Sequence, residues 1–284
     1  MIEFWHALWD PDLVFLRYTL VVGLLASLSF GVMGSYVVVH RISAIAGAIA
    51  HCVLAGIGFA LYAQRALGWS WLDPMLGAVA AALLSAWILG LVSLYGKERE
   101  DTVIGAMWAI GMAIGLLFLA RTPGYVDPMS YLFGNILIIS SREILLVAVL
   151  DGIVLLAVLW NYRRFQALCF DAEFARLRGL RVELHYLGLL SLTALTVVLL
   201  LHVVGMVLVV ALLTIPAAIA GRMVRHLWQM MLLAAFLCAF FLTGGLGISY
   251  QLDLPTGPTV VMFAAVFYLA YFLVRRALRM RTLN

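Results

Sequence analysis

The chain has 284 residues, 65% of them apolar and 11% charged, with a formal net charge of +4. A soluble domain carries about 45–50% apolar and about 25% charged residues, so water is not the main solvent for this sequence, and the apolar surplus must face lipid. The Lys and Arg residues sit in short clusters between apolar runs instead of on one basic face, so the charge reads as membrane topology and not as a surface for nucleic acid.

Met1 to Asp12 carries Glu3, Asp10 and Asp12 but no Lys or Arg, and therefore lacks the basic start of a cleaved signal peptide; Trp5 and Trp9 suit an interfacial segment. Crossing about 30 Å of hydrocarbon takes about 20 helical residues. Runs of that kind lie at about 14–39, 43–63, 74–95, 102–120, 143–161, 184–203, 205–221, 228–247 and 258–274. The expected fold is therefore all-α, one polytopic membrane domain over 1–284 with about nine transmembrane helices. A further apolar stretch, Pro128 to Ile139, is too short to cross and is interrupted by Gly134, which predicts a re-entrant or half-helix. With the N-terminus outside, fourteen basic residues fall on the inner side, among them Arg41, Lys97, Arg163, Arg164 and Arg222, and four on the outer side, Arg17, Arg65, Arg121 and Arg142. This positive-inside bias puts the C-terminus in the cytoplasm and keeps Pro128 to Ile139 from crossing. The boundary near Val203 to Gly205 carries little polar signal. Cys52, Cys169 and Cys238 form no C-x-x-C pair and read as small apolar fillers.

The longest inner connection, about 162–183, combines charge with apolar residues. Phe165, Leu168, Phe174, Leu177 and Leu180 recur at helical spacing, Asp171 and Glu173 precede Arg176 and Arg178, and Gly179 is a stop signal, so an amphipathic cytoplasmic helix is predicted. Such a helix either lies on lipid headgroups or forms a docking surface for a partner.

Polar groups inside hydrocarbon cost about 2.5–3.5 kcal/mol for an acid at a helix centre, so each asks for a partner or a task. His51 lies in the second span among small residues at helical spacing, Gly47, Ala55 and Gly58. That stripe lets helices approach closely or leaves room in front of the imidazole, a common ligand of borderline metal ions. Asp151 is the acid nearest the middle of a span; it either pairs inside the bundle or serves transport. No G-x-x-x-x-G-K-[ST], H-E-x-x-H or G-x-S-x-G motif occurs, so the chain is expected to be no enzyme, to hold no cofactor and to draw any energy from another subunit.

Five segments in order then resemble the permeases of zinc- and manganese-type ABC importers: G-S-Y-V-V-V-H-R-I-S-A-I-A-G-A-I-A-H with the A-G-I-G after it (34–58), D-T-V-I-G-A-M-W-A-I-G-M-A-I-G (101–115), Y-L-F-G-N-I-L (131–137), V-G-M-V-L-V-V-A-L-L-T-I-P-A-A-I-A-G-R (204–222) and G-I-S-Y-Q-L-D-L-P-T-G-P-T-V-V (247–261). F-D-A-E-F-A-R-L-R-G-L (170–180) is similar to that family's element before a late helix pair. The resemblance implies an inner-membrane permease that moves a divalent metal ion (zinc, manganese or iron) inward by alternating access. It also implies a second permease copy as homodimer partner, cytoplasmic ATPase subunits that consume ATP and an extracytoplasmic metal-binding protein. His51 would contact the metal, and Phe170, Asp171, Glu173, Arg176 and Gly179 would couple to the ATPase. The family usually places an Asp four residues before this histidine; Gly47 stands here instead, which leaves Asp151 as a substitute acid and leans away from manganese. The rival readings are an ABC permease for a metal chelate or cobalamin-like cargo, and a non-ABC carrier or scaffold.

Overall fold

The computed structural model describes residues 14–96, 99–124 and 141–281. The half-helix expected over 128–139 and the interfacial N-terminal segment lie outside those residues. The described residues form helices without β-strands: α1 (Val14–Val39), α2 (Ser43–Ala66), α3 (Pro74–Tyr95), α4 (Glu100–Arg121), α5 (Ser141–Phe170), α6 (Ala172–Leu177), α7 (Val182–Val204), α8 (Met206–Ala220), α9 (Leu227–Leu252) and α10 (Thr256–Arg281). Among them, seven are long and apolar enough to cross a membrane, and Val182–Val198 and Met206–Ala220 are shorter apolar segments. The protein is an all-helical polytopic membrane protein.

Local chemistry sets the helix ends. Asp73 caps α3 by accepting from the Met75 amide at 2.7 Å, and Pro74 takes the first helical position, where no amide partner is needed. The boundary between α7 and α8 is a single residue, Gly205, at φ 83° and ψ 158°. Its amide donates to the Leu201 carbonyl at 3.0 Å. That backbone region is strained for any residue with a Cβ, so glycine alone separates two apolar helices that no polar residue divides.

α2 is the hub of one half of the bundle and packs on α3 and α4, while α1 organises the other half with α5, α8 and α9. Fully buried Phe30, Met33 and Tyr36 of α1, Ile49 and Leu54 of α2 and Phe241 of α9 fill the interior. Large side chains such as Trp87, Leu156, Trp160, Phe236 and Leu269 point outward, as lipid-facing residues do. Buried hydroxyls return to their own helix: Ser35 to the Gly31 carbonyl at 2.7 Å, Thr193 to Leu189 at 2.9 Å and Thr196 to Leu192 at 2.9 Å.

Pro216 lies inside α8 and has no amide to offer the carbonyl four residues back, that of Leu212. Cys238 on α9 supplies the missing donor, its Sγ 3.3 Å from the Leu212 oxygen. Cys52 likewise donates to the Met107 carbonyl of α4 at 3.3 Å. These two cysteines are therefore buried donors between helices as well as fillers.

The segment expected to be one amphipathic helix is divided. α5 runs on from the membrane to Phe170, and α6 is a separate helix capped by Asp171, which accepts from the Phe174 amide at 2.9 Å. Phe165 and Leu168 lie on α5 and are buried in the bundle. Phe165 meets the Tyr36 ring edge-on at 5.8 Å. Only Phe174 and Leu177 stand on α6, and both are exposed. Tertiary packing on α1 claims the first half of the apolar pattern, so the helical spacing belongs to two helices.

Candidate functional site

His51 sits on the face of α2 that meets α4. Glycines bring the two helices together: a Cβ on Gly58 would stand 2.6 Å from the Gly115 carbonyl oxygen, and one on Gly111 2.7 Å from Sγ of Cys52. The small-residue stripe thus serves close packing, and the space in front of the imidazole is taken by an aromatic ring. Trp108 of α4 stacks on His51 with ring centroids 4.1 Å apart and planes 29° apart. The Nδ1 of His51 lies 2.8 Å from the Gly47 carbonyl oxygen. A carbonyl can only accept, so Nδ1 carries the proton there and Nε2 keeps its lone pair. The imidazole is half-buried, with Nδ1 tied to backbone and Nε2 without a partner among the described residues, which leaves that nitrogen chemically able to ligate a metal ion.

Gly47 offers no second ligand, and a Cβ built there would rest 3.5 Å from Cζ3 of Trp108. Asp151 does not take its place. It is 4% exposed and lies on α5, with Ser29 of α1 as its polar neighbour. Asp151 Oδ1 and Ser29 Oγ have no hydrogen-bond partner among the described residues. His51 looks onto α4 and Asp151 onto α1, and no group of three His, Cys, Asp or Glu side chains that could hold a metal occurs among the described residues.

The other predicted residues gather around α6. The helix ends in a Schellman turn, with Gly179 at φ 81° donating to the Arg176 carbonyl at 2.9 Å and Leu180 to the Ala175 carbonyl at 3.0 Å. Arg176 pairs with Glu183 at 2.7 Å, and the Arg178 guanidinium sits 5.0 Å over the Phe174 ring. Both contacts are solvent-exposed and individually weak. Phe170, Phe174 and Leu177 are 66%, 52% and 87% exposed, an apolar patch framed by charge that none of the described residues covers.

Sequence reasoning missed a cavity of about 370 Å³ beside α6, lined by His40, Arg41, Ser93, Glu100, Asp101 and Tyr186 among others. Ser93 donates to Glu100 at 2.5 Å, and the Tyr186 hydroxyl donates to Ser93 at 3.2 Å. The His40 ring tilts against Tyr186 at 5.4 Å. Burial pushes the His40 imidazole below the ordinary histidine value, opposed by its hydrogen bond to the Cys169 backbone and by the Glu100 carboxylate. These residues come from the turn between α1 and α2 and from α3, α4 and α7, and no single stretch of sequence signals their meeting.

The chain is thus a polytopic helical bundle with a half-buried imidazole between two helices and an exposed apolar patch on a short connecting helix. The chain belongs to the ABC 3 transport family, whose model matches residues 12–275. It is 40% identical over 263 residues to an uncharacterized membrane protein of Synechocystis, covering 92% of this chain and 91% of the relative. It is 38% identical over 265 residues to a probable metal transport system membrane protein of Chlamydia pneumoniae, covering 93% and 90%. Among solved structures it is similar to a chain of PsaBC from Streptococcus pneumoniae in complex with Fab, at a TM-score of 0.84 and 28% identity, covering 96% of this chain and 95% of the other. The protein is thus a multi-pass protein of the bacterial inner membrane.

Proposed function

We propose that the chain is the permease of an ATP-driven importer that carries divalent metal ions into the cytoplasm, with His51 in the metal path and α6 as the contact to cytoplasmic ATPase subunits. The observation that carries this reading is the His51 geometry, where Nδ1 is committed to the Gly47 carbonyl and Nε2 has no partner among the described residues. A lone imidazole binds a divalent ion weakly. In this reading a second copy of the chain brings its own His51 to a shared path and completes the site. Fourteen basic residues against four support an external N-terminus and a cytoplasmic C-terminus, and the seven long spans with two shorter apolar helices support about nine crossings. The apolar side chains of Phe170, Phe174 and Leu177 fit a groove on an ATPase, with Glu173 and Arg178 fixing orientation at the rim. Metal would arrive from an extracytoplasmic binding protein, and rocking of the bundles would expose the path to either side in turn.

Uptake into proteoliposomes holding the chain with its ATPase and binding protein tests this. ATP-dependent accumulation of zinc, manganese or iron is expected. ATP hydrolysis without movement of any of the three ions would sink the metal-ion reading in favour of a chelated cargo.

A further inference from the structure

The His51 site is built on α4 as much as on α2. Trp108 covers the imidazole face, its Cζ3 and Cη2 edge lies against the bare backbone at Gly47, at 3.5 and 4.0 Å from where a Cβ would stand, and it is itself 39% exposed. The turn of α4 that carries it is fixed to α2 on both sides: Cys52 donates to the carbonyl of Met107, the residue before Trp108, and Gly111 packs against Cys52. The stack is therefore seated on a turn of α4 that backbone contacts hold against α2.

We propose that Trp108 is the positioning and specificity-determining residue of the metal path, an inference that rests on the His51 reading. The indole fixes the imidazole plane while the Gly47 carbonyl fixes its tautomer, so Nε2 has one direction in which to meet an ion. The same indole flanks the face of α2 from which a side chain at position 47 would project: a Cβ there would touch Cζ3 at an ordinary 3.5 Å, and a carboxylate built on it would have to share that face with the ring. A path that presents imidazole nitrogen without carboxylate oxygen favours zinc over manganese, because zinc accepts nitrogen readily and manganese depends on oxygen. Gly47 and Trp108 thus act together, one by withholding a carboxylate and the other by crowding the face it would use.

The test is zinc and manganese uptake by the reconstituted complex, with KM and maximal rate measured separately. Trp108→Leu removes the stack and should raise the zinc KM roughly 2- to 10-fold, the worth of one aromatic pair, with the maximal rate within about twofold. Trp108→Phe retains a ring over His51 and should restore the zinc KM. Because a phenyl ring is shorter than an indole, the Gly47→Asp and Trp108→Phe double variant has room for a carboxylate beside the imidazole. It should raise the manganese-to-zinc ratio of rate over KM about tenfold, an estimate of one added charged ligand. An unchanged zinc KM in Trp108→Leu, or an unchanged metal ratio in the double variant, overturns the proposal when His51→Ala in the same assay has lost uptake. If His51→Ala transports normally, the underlying site reading fails and takes this one with it. Should Trp108→Leu not assemble, the double variant alone decides.

Discussion

At the scale of single residues, the chain shows how a membrane interior deals with polar groups that water cannot reach. Cys238 answers a carbonyl that Pro216 leaves unbonded, 3.3 Å away across a helix interface. Replacing it by alanine leaves that carbonyl enclosed without a donor, which costs about 1–3 kcal/mol, whereas Cys238→Ser retains a donor. Thermal unfolding in detergent should therefore show a clear loss for the alanine variant and a smaller one for serine; equal losses would mean that packing alone explains the site. His40 gives a second prediction. Its imidazole is held below the ordinary value of 6.5 by burial. The folded state thus binds fewer protons than the unfolded state in that range. Stability contributed by the neutral ring is present above the unfolded value and is lost as pH falls through the lower folded one. Glu100, Asp101 and Arg41 line the same cavity, with Tyr186 against the ring and Cys169 at its backbone bond. Acidification from pH 7.5 to 5 should lower the unfolding temperature of the wild type more than that of His40→Gln. Parallel profiles would remove His40 from the pH response.

At the scale of helices, hydropathy made the spans legible because lipid leaves few alternatives to a continuous apolar helix. The predicted 74–95 coincides with α3. The boundary near Val203 to Gly205 lacked polar signal yet was located by glycine alone, since only glycine accommodates φ 83° there. The 165–180 segment was not legible in the same way. Its spacing is helical on both sides of Asp171, and only the packing of Phe165 against Tyr36 shows that its first half belongs to α5. This matters for function, because Asp171 is an N-cap and its loss costs about 1 kcal/mol of helix stability whatever partner is present. Phe174→Ser and Leu177→Ser are cleaner probes, since both side chains are exposed. The pair should abolish copurification of the ATPase subunits while leaving the unfolding temperature within a few degrees of wild type. Undisturbed copurification would remove α6 from the coupling contact.

For the molecule as a whole, the sequence pointed to His51 but could not show its surroundings. The rotation of α4 about its own axis depends on contacts such as Gly58 with Gly115 and Cys52 with Met107, more than 50 residues apart, so the Trp108 stack is a tertiary fact. Asp151, the other intramembrane candidate, belongs to the α1 and α5 interface and does not join His51 within one chain. The proposed metal path therefore centres on one imidazole whose Nε2 has no partner among the described residues, with a second copy of the chain proposed to supply another. The most direct test compares wild type with His51→Ala, both reconstituted with the ATPase and the binding protein, for ATP-dependent uptake of zinc, manganese and iron. Loss of uptake with assembly and ATP hydrolysis retained is the predicted result. Uptake at wild-type rate would contradict the account and move the metal path away from α2.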